Sequence, residues 1–468
     1  MKFKLFSAVA SLAFFGAFAD ATIDRVLVRQ QWPWNEKVAI DFVLTNVTSA
    51  TEIGCAVYRG ETPVSVPAGA FIGDFCNLEK DGAYRIMFDP SYLSDRPSKG
   101  ETLRFVLTPS AMSDDSPYNE VLYKIFDLEN PSVTDVTRGD LLSGRYGSVE
   151  TDYSRIGEGY SSPLSDVLIW TGVTNYPGAK TTKLVMRKIP AGKFKYPGSG
   201  YWGSWVYQFT VTKEFYIGVF ELTQKQFSYF SLNTYSSGDI DLPPYNAGDD
   251  KPLSNFSPLR IFYADSREVW EAERGSLKNL KDLFANAGAG SYNFDLPSFA
   301  MWLRAMEAET IMGQNRSGSY YYDGIDGEPT DFINNARMSA LGRFAGNGGI
   351  VDNGDGTKTT NGVVVVGSYR PNAFGLYDMI GNVKETLRDG GAHFNYNMSV
   401  ASPENPYNSY GNYIAGMGVF GGSWATSGTL WLEAVPGLNL ASPNKYPDVG
   451  VRLAFFEGEN PFKPKPAE

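Results

Sequence analysis

Histidine and cysteine are nearly missing from this chain of 468 residues, which has one histidine, His393, and two cysteines, Cys55 and Cys76. A single imidazole excludes centres built from several histidines, including zinc sites of mixed histidine and cysteine ligands. Nothing local around His393 supports a Ser-His-Asp arrangement, so it is read as a surface or half-buried residue. Basic residues are in deficit too, with 41 Lys and Arg against 52 Asp and Glu, a net charge of -11 and a pI of about 4.9. No basic cluster offsets that deficit, which argues against capture of nucleic acid or of an anionic membrane surface. No segment beyond Phe18 is apolar for the roughly twenty residues that crossing a bilayer requires, so no integral membrane contact is expected.

The one early apolar run, Leu5 to Phe18, follows Lys2 and Lys4, is too short to span and is closed by Asp20. Small residues at Ala17 and Ala19, or at Ala19 and Ala21, fit the small-x-small cleavage rule, so residues 1–21 read as a secretory signal peptide. That predicts a secreted, periplasmic or cell-surface protein cleaved near Ala19 or Ala21. In such an oxidising compartment Cys55 and Cys76 are expected to pair.

What is abundant points to irregular, turn-rich structure. Hydrophobic residues make up 43% and aromatics 14%, enough for sizeable cores, while 49 glycines mark many turns. The length suggests two domains or more. Over residues 22–128 short alternating segments recur between Gly, Pro, Asn and Asp clusters. Val38, Ile40, Phe42 and Leu44 share one face, and Leu103, Phe105 and Leu107 alternate around Arg104. This pattern predicts an all-β, immunoglobulin-like sandwich that also takes in Val121 to Leu128. Periodicity lapses over 129–166, read as a linker or wrapping arm, and a second domain follows over 167–457, with a tail at 458–468.

Within the second domain, Thr223 and Gln226 have the spacing of a capping box, with Phe227 and Phe230 facing inward. A second helix is predicted after Ser257-Pro258 and a third after Pro297-Ser298, where Phe299, Trp302, Leu303 and Met306 recur at helical spacing. Asp352 to Thr357 reads equally as half a calcium loop or as a hairpin turn. Between Gly367 and Asp389, Asp378, Gly381, Asn382 and Glu385 crowd around a glycine turn. Oxygen donors at a turn suit a hard cation, and a solvated acidic turn is the alternative. Gly421-Gly422-Ser423-Trp424 and Val449 to Phe455 complete the set, the latter as a last core strand.

In this order, Ile189-Pro190-Ala191-Gly192, Tyr216 to Phe227, Leu296-Pro297-Ser298 with Trp302, Asn372 to Asp378 with Gly381-Asn382-Val383, Gly421 to Trp424 and Gly450-Val451-Arg452 resemble the formylglycine-generating enzyme, or sulfatase-modifying factor, family. The resemblance covers about Lys183 to Phe456. It implies a mixed α/β (α+β), C-type-lectin-like domain of low regular-structure content, here preceded by the all-β sandwich. It also implies structural calcium held by the side chains of Asp378 and Glu385 and the carbonyls of Gly381 and Val383. A second calcium would fall at Asn347, Gly348 and Asp355.

The departures from the family bear on chemistry. The copper-binding cysteine positions of the formylglycine-generating enzymes hold Thr426 and Trp431 here, and neither supplies a thiolate. The related iron-dependent branch needs several histidines, so neither copper nor iron is expected. Family arginine and glutamates become Asp295, Phe299 and Met301, and the tryptophans flanking the loop glutamate become Lys384 and Thr386. The expectation is therefore a non-catalytic, calcium-stabilised binding or structural module. Its pocket would lie at Ser423, Trp424, Thr426, Trp431 and Arg452, suited to a peptide, protein or glycan ligand. The alternatives are an oxidase that matures exported sulfatases through non-standard residues, and a surface or assembly component recognised through the sandwich.

Overall fold

Alternation from Val38 to Thr45 produces the strand it predicts: Ile40, Phe42 and Leu44 are buried, while Asp41 faces outward between Arg29 and Arg85. The computed structural model describes residues 7–10, 21–31, 36–66, 68–93, 102–151, 168–200, 203–231, 240–258, 262, 275–307, 313–314, 320–321, 339–388, 418–426 and 445–458. They divide into two compact units. The first takes the described residues up to Leu122 together with 136–151 and 168–173; the second takes Tyr123–Asp135 and the described residues from Thr174 onward.

The first unit carries two four-stranded sheets. In one, Ser7–Ala10, Leu103–Ala111, Thr51–Arg59 and Thr62–Val64 lie side by side; in the other the order is Thr22–Gln30, Val38–Thr45, Gly82–Phe88 and Phe71–Gly73. Phe88 and Phe105, one from each sheet, meet edge to face at 5.2 Å. Ser7–Ala10, inside the segment read as a signal peptide, pair in parallel with Arg104 to Leu107. The expected disulfide is not formed, because Cys55 and Cys76 are both free thiols. Cys55 Sγ turns back to the Ile53 carbonyl of its own strand at 3.9 Å, and Cys76 Sγ packs beneath Gly139.

Most of a six-stranded sheet belongs to the second unit, its strands in the order Ser132–Thr137, Val121–Asp127, Lys183–Ile189, Phe215–Gly218, Ala454–Phe456 and Asn293–Asp295. This corrects two readings of the sequence. Val121–Asp127 does not join the sandwich; it pairs antiparallel with Lys183–Ile189. Nor is 129–166 wholly a linker, since Ser132–Thr137 extends the same sheet and Arg138–Leu142 is a helix capped by Thr137 and Asp140. Alternation reveals a strand but not its partner, and Phe126 shows what decided the pairing. It packs edge to face on Phe284, Tyr292, Phe294 and Phe455 at 4.8 to 5.3 Å.

The capping box forms as predicted. Thr223 Oγ1 accepts from Gln226 N at 3.2 Å and Gln226 Oε1 accepts from Thr223 N at 3.0 Å, starting the short helix Gln224–Ser228. Phe227 and Phe230 are buried beneath it. Phe299–Glu307 is the helix predicted from its apolar stripe, with Trp302, Leu303 and Met306 buried. Residues 263–274, where most of the helix predicted after Pro258 falls, lie outside the described residues, while Gly275–Asn286 forms a helix the sequence reading did not single out. A three-stranded sheet carries the loops of interest: Lys384–Thr386 runs antiparallel to Val419–Phe420 and parallel to Val449–Gly450. The unit is a mixed α/β domain of short elements. Among the described residues no helix is long and apolar enough to cross a membrane.

Candidate functional site: a buried acid and arginine centre

The turn that leads into the acidic loop is set by one side chain. Asn372 Oδ1 accepts from Phe374 N and Leu376 N at 3.0 and 3.1 Å, while its Nδ2 donates to Ala305 O at 2.8 Å and ties the turn to the helix Phe299–Glu307. Asp378 and Asn382 then adopt left-handed backbone, φ 55° at each, which places their side chains inside the turn. Asn382 Nδ2 donates to Glu221 Oε2 at 2.6 Å, and Val383 N donates to Glu221 Oε1 at 3.1 Å. Glu221 comes from the stretch between the strand Phe215–Gly218 and the capped helix, so a residue 161 positions away closes the loop.

Glu385 points the other way. Arg452 Nε donates to Oε1 and Oε2 at 2.9 and 3.0 Å, Arg452 Nη2 donates to Oε1 at 2.6 Å, and Trp302 Nε1 donates to Oε2 at 2.6 Å. The other arginine hydrogens go to the carbonyls of Gly218, Val219 and Tyr377. Glu385 thus has both oxygens committed and leaves the ligand set expected for calcium. The reason is charge: a buried guanidinium needs a carboxylate beside it.

Asp378 is different. Its Oδ2 accepts from Gly367 N at 2.6 Å, and its Oδ1 is buried with no partner. Burial raises the Asp378 pKa to about 6. Burial first, and then the charges of Asp378 and Glu385, also raise that of Glu221. Arg452 stays charged because Glu385 outweighs the burial that opposes its charge. Three buried acids against Arg452, with the half-buried Lys180 acting on Asp378 as well, leave the centre short of positive charge, which either a proton or a cation corrects. Asp378, with an orphaned oxygen at the turn that carries Gly381 and Val383, fits a cation. Among the described residues, however, no three His, Cys, Asp or Glu side chains converge as a metal cluster.

The second expected calcium set does not assemble. The Asn347 and Gly348 carbonyls both accept from Arg343, and Asp355 is an exposed hairpin-turn residue whose Oδ1 accepts from Thr357 N at 2.9 Å. Its carboxyl is held below the usual range by the Thr357 hydroxyl and amide.

The residues expected to line a pocket are largely interior. Ser423 and Arg452 are fully buried, and Trp424 packs with Val363 and Val383 instead of offering a platform. Trp431 and His393 lie outside the described residues. Thr426 is half-buried and closes a turn, its Oγ1 accepting from Ser423 N at 2.8 Å. Ser423 Oγ donates to Asp448 Oδ2 at 2.9 Å, and Lys384 Nζ donates to the same oxygen at 2.7 Å. Sequence reading missed Glu221, Arg343 and Asp448. Asp448 directly precedes the flagged Val449-Gly450 and Glu221 lies two residues before the capping threonine, but nothing in the sequence joined either to its partner.

Fold and centre together define a class: a mixed α/β domain of short strands whose loops are pinned by a buried acid and arginine network. The sequence profile of the sulfatase-modifying factor enzyme 1-like domain matches residues 175–455, and the chain belongs to that family. Among solved structures it is similar to Treponema denticola variable protein 1, at 18% identity over 58% of this chain and 95% of that one, with a TM-score of 0.41. It is also similar to PvdO from Pseudomonas aeruginosa, at 18% identity over 58% and 94% of the two chains with a TM-score of 0.38. CarF is a third, at 17% identity over 58% and 98% with a TM-score of 0.31. No curated protein matches the chain.

Proposed function

We propose that this chain is a secreted, non-catalytic member of its family, a calcium-stabilised module that binds a peptide, protein or glycan. The observation that carries this reading is Thr426. At a position where the family's oxidases place a copper thiolate, this chain uses a hydroxyl to close the Ser423 turn. The only thiols lie in the first unit, and burial raises Cys55 to about 12 and Cys76 to about 11, away from the thiolate form that binds copper. Calcium sits at Asp378, whose orphaned Oδ1 supports it, with the Gly381 and Val383 carbonyls. Ligand contact falls on the half-buried rim of Lys384, Thr426 and Asp448.

Purified protein is incubated with a cysteine-containing sulfatase peptide, copper and oxygen, and aldehyde formation and oxygen uptake are followed. Neither is expected, and aldehyde above the protein-free background overturns the reading. For binding, Lys384→Ala weakens retention on a panel of immobilised glycans and peptides; a panel that retains nothing removes the binding half of the reading.

A further inference from the structure

The lobe beginning at Gly342 gathers its carbonyls around a side chain. Arg343 Nη1 donates to Asn347 O at 3.0 Å and Arg343 Nη2 donates to Gly348 O, so one guanidinium joins two successive carbonyls. Asn361 Nδ2 reaches the Gly348 carbonyl as well, at 3.0 Å. The Asn347 side chain is occupied within the lobe: Oδ1 accepts from Phe344 N at 2.6 Å and Nδ2 donates to Gly342 O at 2.7 Å.

The approach is built into the backbone. Gly348 has φ 111°, and a Cβ there would stand 2.7 Å from Arg343 Nη1, so a side chain at this position would displace the guanidinium. Carbonyls turned toward one point carry partial negative charge, the arrangement that calcium loops neutralise with a metal. A guanidinium is always protonated, and its planar fork serves two acceptors at once.

We propose that Arg343 is the resident cation of this lobe, its guanidinium standing where the resemblance led us to expect a second calcium. The lobe therefore holds its shape without metal. It supports the turn at Ser423, since Ala345 N donates to Thr426 O at 3.2 Å, and it abuts the acidic loop, since Asn382 N donates to Arg343 O at 2.9 Å.

The test combines calcium stoichiometry with melting. Metal-stripped full-length protein and its Asp378→Asn variant are dialysed against labelled calcium, and Asp378→Asn is expected to retain none. Arg343→Ala is expected to melt more than about 4 °C below the native chain in calcium-free buffer, and Arg343→Lys, which keeps the charge and loses the fork, to recover part of that loss. Calcium retained by Asp378→Asn overturns the proposal, as does Arg343→Ala melting with the native protein. If Arg343→Ala does not fold, Arg343→Lys melting at the native temperature overturns it instead. A native chain that binds no calcium at all removes the reading of Asp378 and leaves this one standing.

Discussion

Arg452 and Glu385 form a bidentate ion pair, Nη2 to Oε1 at 2.6 Å, with side chains 0% and 1% exposed. The arginine closes on three carbonyls and the glutamate on the Trp302 indole, so the pair ties the Lys384–Thr386 strand to the core helix Phe299–Glu307. Removing one partner strands the other's charge in the interior. Glu385→Leu and Arg452→Met should each cost about 3–5 kcal/mol, and the double variant should cost clearly less than their sum. Urea midpoints of the four proteins, read from the transition of the second unit, decide it. A double variant as poor as the sum would mean that the two residues do not act as a unit.

The thiols answer a separate question. With Cys55 raised to about 12 and Cys76 to about 11, chiefly by burial, neither is a thiolate at neutral pH. Both should resist alkylation in native protein at pH 7.5 for hours and react within minutes in denaturant, with no reductant added. Intact mass counts the adducts. Two adducts after unfolding agree with the free thiols of the structure, and none would mean that the export argument for a disulfide describes the mature protein better.

Parts of the second unit are legible in the sequence, and the reason is local. The Thr223 box and the Phe299–Glu307 stripe are each encoded within a few residues. What could not be read depends on residues far apart. Val121–Asp127 alternates as well for a sandwich as for the six-stranded sheet, and its partner strand lies some sixty residues on. Glu385 offers oxygens to a cation or to an arginine alike, and only the fold brings Arg452 within reach, 67 positions away. Asn347 and Gly348 sit where the family resemblance implies a metal, but the neighbour that reads their carbonyls is Arg343, whose role no spacing announces.

Close backbone contact between the two loops makes one glycine indispensable. A Cβ on Gly342 would stand 1.6 Å from Ile380 O, a backbone atom that cannot swing aside. Gly342→Ala should destabilise the second unit by more than about 4 kcal/mol or prevent its folding. Gly54→Ala, whose new carbon would meet Thr108 O at an ordinary 3.6 Å, should stay within about 1 kcal/mol of native. Soluble yield and thermal midpoint separate them, and a soluble Gly342→Ala with a native midpoint would show that the loops are not packed as described.

Asp378 gives the stability a pH dependence whose sign follows from the direction of its shift. Burial raises its folded pKa to about 6 from 3.8, so between those values the folded chain holds more protons than the unfolded one. Its contribution is complete below the unfolded value and is lost as pH rises through the folded one. Calcium-free protein should therefore weaken from pH 4 toward pH 6.5, by at most about 3 kcal/mol from this residue. Asp378→Asn, which cannot ionise, should flatten that slope. If calcium binds here as proposed, it would compete with the proton for the same buried oxygen, so its stabilising effect should be small near pH 4.5 and grow through pH 6.5 in the native chain, and be absent in Asp378→Asn. Melting curves at five pH values, with chelator and with calcium, measure both slopes. Calcium stabilisation that ignores pH, or survives in Asp378→Asn, would move the cation away from this turn.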